Sequence, residues 1–196
     1  MAQVYSFEGR IPVIDPSAFV HPTAVLIGDV QVGPGCYVGP GVSLRGDFSS
    51  ILLNAGCNVQ DNAVLHGSPH MDTVVEEDGH IGHGAVVHAC RIGRNALIGM
   101  NAIVFDDARI GESAIVAALS FVKARFVVPP RHLVAGVPAR VVRPLDDAEI
   151  AKKRTGTIAY QRLAARCLAT LEPCDPLPRP EHGRPRIDIR SFWPED

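Results

Sequence analysis

The chain lacks any apolar run approaching the twenty or so residues of a bilayer-crossing helix, and its opening MAQVYSFEGRIPVID has no signal-like hydrophobic stretch. The expected compartment is the cytoplasm. A basic block is missing too: 19 Lys and Arg are interleaved with 21 Asp and Glu for a net charge of -2, which argues against nucleic-acid or polybasic membrane partners. The five cysteines (Cys36, Cys57, Cys90, Cys167, Cys174) are odd in number and show no CxxC spacing. That pattern argues against a disulfide framework or a cysteine-based zinc site, and reads as reduced packing thiols.

What the chain does have is a repeat of six. From residue 92 it divides into IGRNAL, IGMNAI, VFDDAR, IGESAI and VAALSF, with Ile92, Ile98, Val104, Ile110, Val116 and Val122 in the same place. A small residue holds the fifth position, as in Ala96, Ala102, Ala108 and Ala114. Similar hexads run upstream from Val20. A period of six belongs to neither one helix nor one strand. It suits a chain that turns a corner after each short strand, with an aliphatic residue pointing inward on every face and Gly, Asn or Asp at the turns. Three hexads close a triangular coil, and coils stacked as parallel strands make a solenoid.

The expected organisation is a solenoid over 1–128, a proline-bearing linker over 129–145, a helix over 146–172 and an irregular tail over 173–196. Asp146 with Glu149 forms a capping box at the helix start. Ile150, Ile158, Leu163, Cys167, Leu168 and Leu171 are its candidate apolar stripe. Two insertions break the register, one between Leu44 and Leu53 and one at 67–80, the latter acidic at Glu76, Glu77 and Asp78.

The histidines of HIGHGAVVHAC then raise a question of metal binding. His66 and His88 hold the same hexad position, so they can stack on one edge of the prism, one coil apart. His83 sits one position later in its own hexad, and five extended residues span roughly 16 Å, too far to join His88 on one ion. A trimer packed side by side removes the conflict, since His83 of one subunit then faces His66 and His88 of the next. Three histidines leave a fourth coordination position for water, the arrangement of catalytic sites. The plainer account is three unrelated surface imidazoles. His70 and His80 read as exposed loop residues, with a place behind the metal ligands as the alternative for His80, and Cys90 reads as a packing residue.

RGD at 45–47, NVQDN at 58–62, His66 and the spaced pair in HIGHGAVVHAC resemble the γ-class carbonic anhydrase-like branch of the hexapeptide-repeat proteins. The resemblance extends over essentially the whole chain. DGHIGHG, IVAALSFVKA and the carboxy-terminal helix look closest to the phenylacetic-acid-degradation proteins of PaaY type and their relatives from carnitine operons. The resemblance implies an all-β, left-handed parallel β-helix with a carboxy-terminal α-helix, assembled as a homotrimer. It further implies a zinc ion, with iron or cobalt as alternatives, held by His66 and His88 of one subunit and His83 of another. Arg45 and Asp61 would pair across the interface, Gln60 and Asp47 would line the site, and Tyr160 would lie near the metal.

The resembling anhydrases carry a carboxylate directly after RGD, where this chain has Phe48. Phenylalanine cannot move protons. The expected function is therefore hydrolysis of an acyl-CoA thioester of the phenylacetate pathway by metal-activated water. Hydration of CO2 to bicarbonate is the alternative, with Glu76, Glu77 and Asp78 as substitute proton carriers. A hexapeptide acyltransferase and a non-catalytic trimeric scaffold remain as further readings.

Overall fold

The computed structural model describes residues 2–188 and 192–193. Three walls of short parallel strands stack into a triangular prism. The first wall includes Val64–His66, Val86–His88, Ile103–Val104 and Phe121–Val122. The second includes Thr73–Val75, Arg91–Ile92, Arg109–Ile110 and Val127–Val128. The third runs Phe19–Val20, Tyr37–Val38, Asn58–Val59, His80–Ile81, Leu97–Ile98, Ile115–Val116 and His132–Gly136. Two longer strands, Val25–Val32 and Ser43–Leu53, turn the corner from the first wall into the second.

The aliphatic hexad residues form columns. Leu26, Leu44, Leu65, Val87, Val104 and Val122 stack in register along the inside of the first wall, all fully buried. Each such side chain contributes about 1.5–3 kcal/mol relative to an exposed one. The small fifth residues, Ala96, Ala102, Ala108 and Ala114, are buried where the walls meet. Asn62, Asp78, Asn95, Asn101 and Asp107 take the left-handed backbone that the corners need.

The insertions prove shorter than the sequence suggests. Gly28 pairs with Gly46 but Val30 pairs with Ile51, so Asp47, Phe48, Ser49 and Ser50 bulge out opposite Asp29 alone. The second insertion occupies only 67–72, because Thr73–Val75 is already back in the second wall, paired with Ile51–Leu53. The two excursions rest on each other: Ser49 Oγ donates to the Met71 carbonyl at 3.0 Å, and the Ser50 N–H donates to Asp72 Oδ1 at 2.9 Å.

The neck of the bulge is tight. A Cβ on Gly46 would meet the Asp29 carbonyl oxygen at 2.3 Å, backbone that no rotamer change can move. Gly46→Ala is expected to destabilise the chain by about 1–3 kcal/mol and to shift Asp47. An unchanged melting temperature would show that the bulge relaxes freely.

Residues 129–145 are not a plain linker. His132–Gly136 adds a last strand to the third wall, and Ala139–Pro144 folds back on it antiparallel. The prolines at 129 and 130 precede this strand, and Pro138 lies in its turn, so none interrupts the wall's hydrogen bonding. The helix spans Asp147–Thr170 with the expected capping box: the Glu149 N–H donates to Asp146 Oδ1 at 2.8 Å, and the Asp146 N–H to Glu149 Oε2 at 3.1 Å. Arg143 grips the same Glu149, and these contacts hold its carboxyl down to about 2.

The helix packs on the third wall through a face that overlaps the expected stripe only in part, at Leu163 and Cys167. Lys153, Thr157, Ala159 and Ala164 are buried, whereas Leu168 and Leu171 are exposed. Bulky outward residues of the wall explain the choice, since Ala164 leaves room for Phe19 and Tyr37. Among the described residues no helix is long and apolar enough to cross a membrane. The tail is exposed and irregular over 173–188, Phe192 lies half-buried with the Arg166 guanidinium 4.0 Å from its ring centre, and residues 189–191 and 194–196 lie outside the described set.

Candidate metal centre

The first wall has a histidine on each margin. On the margin that turns into the second wall, His66 and His88 end adjacent strands and are register partners. The equivalence expected from the hexads therefore holds. Their rings lie 5.1 Å apart, and the nearest nitrogens, His66 Nδ1 and His88 Nε2, are 3.2 Å apart.

The far nitrogen of each ring is spoken for by a carboxylate. His66 Nε2 is 2.9 Å from Asp47 Oδ1, and His88 Nδ1 is 2.6 Å from Asp106 Oδ1. A carboxylate accepts, so those nitrogens carry the protons and the facing pair presents lone pairs. Two lone pairs at 3.2 Å repel unless a cation or proton lies between them. Two nitrogens at about 2.0–2.1 Å from a tetrahedral ion lie about 3.3–3.4 Å apart, close to the 3.2 Å that separates this pair.

The four-residue bulge supplies Asp47 and Phe48. Arg45 Nη1 donates to Asp47 Oδ2 at 2.8 Å and its Nη2 comes within 3.4 Å of His66 Nδ1. Desolvation pushes the Asp47 carboxyl up, yet hydrogen bonds from Arg45 and His66 outweigh it and hold the group below the usual carboxylate range. Asp47 thus lies beside the paired histidines and orients one of them. Phe48, 60% exposed, places its ring 5.3 Å from that of His66 and forms an apolar wall beside the pair.

His83 stands on the opposite margin, at the corner leading into the first wall. Its Nδ1 is 2.6 Å from Asp61 Oδ2, which leaves Nε2 as the nitrogen available to an ion. Within one chain it does not join His66 and His88, and among the described residues no cluster of three His, Cys, Asp or Glu side chains is set to hold a metal. Nor do Arg45 and Asp61 meet within the chain, each being taken by a nearer partner.

Gln60 and Tyr160 belong to the His83 side. Gln60 is 3% exposed and touches Asn58 and His80. Tyr160 reaches in from the helix to pack against Tyr37 at 5.2 Å and edge-on against His80 at 5.5 Å. Burial, with Asp61 adding, raises the Tyr160 hydroxyl above its ordinary value.

Two sequence expectations change here. His80 is no loop residue: it lies in the third wall under the helix, where burial, followed by the charges of Lys153 and His83, depresses its imidazole to about 3. Lys153 is likewise lowered to about 7 by burial, though it donates to the Asp78 carbonyl and Asn95 Oδ1. Glu76, Glu77 and Asp78 turn the corner between the second and third walls, away from both histidine margins. There Glu76 pairs with Arg91 and Glu77 with Arg94, so they make poor proton carriers.

Asp106 was missed by the sequence reading. The only signal for it was its place one coil beyond His88, since Val87 pairs with Val104.

The model of the family described as bacterial transferase hexapeptide (six repeats) matches residues 11–46. The carnitine operon protein CaiE of Salmonella agona is 55% identical over 93% of this chain and 92% of its own length. CaiE of Escherichia coli K12 is 54% identical over 93% of both. Among solved structures, a hexapeptide transferase family protein from Anaplasma phagocytophilum superposes with a TM-score of 0.80 at 35% identity, covering 83% of this chain and 96% of that one. A Bacillus cereus protein described as a putative acetyltransferase gives 0.85 at 33%, covering 86% and 98%.

Proposed function

The chain belongs to the hexapeptide-repeat family of left-handed parallel β-helices, with CaiE proteins among its relatives, and from that premise we propose that it is a metal-dependent acyl-CoA thioester hydrolase working at the interfaces of a homotrimer. The observation that carries this reading is the facing pair of lone pairs on His66 and His88, each ring backed by its own carboxylate. A lone histidine serving as the base of an acyltransferase would have no use for a second one at 3.2 Å. The carboxylate behind each imidazole is the usual outer partner of a metal-ligating histidine, and it also stands behind His83.

The trimer brings the two margins together. Exposed apolar residues lie along the wall between and beside them: Phe105 next to the paired histidines, Val64 and Ile103 at the strand starts, and Met100 and Leu119 beside His83. A contact joining one margin to the other on the next subunit closes after three copies, buries these residues, and delivers His83 to the pair. It also brings Arg45 of one copy toward Asp61 of the next, and carries Gln60 and Tyr160 to the site's edge.

When bound, zinc, or iron or cobalt in its place, lowers the pKa of its water toward neutrality and polarises a carbonyl. The chain's own residues do the rest. Asp47 and Asp106 keep His66 and His88 in the tautomers that expose their inner nitrogens, and Arg45 holds Asp47 in place. Phe48 gives an apolar acyl group a surface to lie on and excludes water from it, which favours an aromatic acyl chain such as phenylacetyl. No carboxylate stands at position 48 to carry protons to bulk solvent, and this weighs against fast CO2 hydration.

The test is a side-by-side assay of zinc-loaded protein on an aromatic acyl-CoA, on an acyl-CoA bearing a quaternary ammonium as the relatives' operon name suggests, and on CO2. Chelator-sensitive hydrolysis of either thioester, with slow CO2 hydration, is expected. Rapid CO2 hydration with untouched thioesters would replace this reading with that of a carbonic anhydrase.

A further inference from the structure

His80 touches neither member of the histidine pair, yet it meets the buried Gln60 amide on the His83 side of the site. Asn58 and His80 are register partners on neighbouring coils of the third wall, and Gln60 follows Asn58 by two residues. Gln60 Nε2 donates to Asn58 Oδ1 at 3.1 Å and also contacts His80 Nε2. An imidazole nitrogen that accepts is unprotonated, so His80 holds its proton on Nδ1.

Both amide hydrogens of Gln60 are then spent inward. Its Oε1 is the end left over, and among the described residues nothing donates to it. Turning Gln60 alone would set Oε1 against Asn58 Oδ1, acceptor to acceptor; only a joint turn of Asn58, whose Nδ2 is buried without a partner, would reverse the pair, and that arrangement carries the Nε2–H tautomer of His80. Tyr160, edge-on to the imidazole at 84°, fixes the ring plane from the helix side, with Tyr37 behind it. Burial keeps His80 neutral, so its acceptor is present throughout the physiological range. The buried Nδ1 has no partner, and neither have Thr157 Oγ1 on the helix and Asn58 Nδ2.

The geometry points to His80 as a positioning residue: with Asn58 it locks the Gln60 carboxamide so that Oε1 is presented, beside Asp61 and His83, as a fixed acceptor for a proton of the attacking water. This rests on the reading that the His83 margin completes the site. His80 itself touches no reacting atom.

Two measurements on the full chain test it. In nitrogen-detected NMR without metal, His80 should appear as the Nδ1–H tautomer and stay neutral from pH 8 to pH ~4. The Gln60 amide signals, identified by their loss in Gln60→Ala, should shift in His80→Leu. An Nε2–H tautomer, or unmoved amide signals, overturns the proposal. In zinc-loaded protein, His80→Leu and Gln60→Ala should each lower kcat by a similar factor of about 10–100, with KM little changed. The double variant should fall no further than either single one, and His80→Gln, which restores an acceptor, should recover most of the loss. Multiplying losses, or a His80→Gln no better than His80→Leu at equal melting temperature, would overturn it. If wild-type protein turns over no substrate, the hydrolase reading fails, while the tautomer and amide shifts still decide whether His80 holds Gln60.

Discussion

Purified wild-type protein should carry about one ion per chain, and His88→Ala should carry almost none, even after reloading with zinc. The expectation follows from ligand count. The proposed site has three protein nitrogens, and a pair whose inner atoms are 3.2 Å apart cannot be completed by one imidazole alone. Losing a carboxylate that only backs a ligand costs roughly 10–100-fold in affinity, so losing the ligand costs more. Asp106→Asn makes the graded control, because it keeps both rings and weakens only the bond at 2.6 Å behind His88. It should fall between wild type and His88→Ala. The fold should survive in all three, since His88 is half-buried at the wall's margin and contributes nothing to the internal columns. Metal absent from wild type even after reloading would sink the metalloenzyme reading in favour of a metal-free acyltransferase or a scaffold, and metal content unchanged in His88→Ala would remove His88 from the site.

Phe48→Glu should move the chemistry in opposite directions for the two candidate substrates. A positioned proton-transfer group contributes typically 10²–10⁴-fold, so CO2 hydration is expected to rise by about 10²-fold or more. Hydrolysis of an aromatic acyl-CoA should fall, because the apolar surface beside His66 is replaced by a charge. Phe48 is 60% exposed on a bulge, so the melting temperature should hardly change, and stopped-flow indicator assays can be read without correction for unfolding. If neither activity moves, Phe48 does not face the reacting groups.

Much of this was legible in the residues alone. The six-residue period specified walls, corners and an aliphatic interior, because each hexad repeats one geometry and an inward position stays inward however many coils follow. The same logic made His66 and His88 equivalent, and the Asp146–Glu149 capping box placed the helix start correctly. The stretch 129–145 escaped, since its prolines hid a strand that lies clear of them.

What the sequence determined by itself is therefore which way each residue of the hexads faces. Which outward side chains meet was decided only in three dimensions, because that depends on the residues per coil, and the insertions vary it. Leu26 to Leu44 is 18 residues, Leu44 to Leu65 is 21, Leu65 to Val87 is 22, and Val87 to Val104 is 17. No single period predicts that Asp47 reaches His66 or that Asp106 backs His88. Nor does a sequence pattern show that the helix lays Tyr160 on His80, since that docking was chosen by the fit of small helix residues against Phe19 and Tyr37, an event of packing.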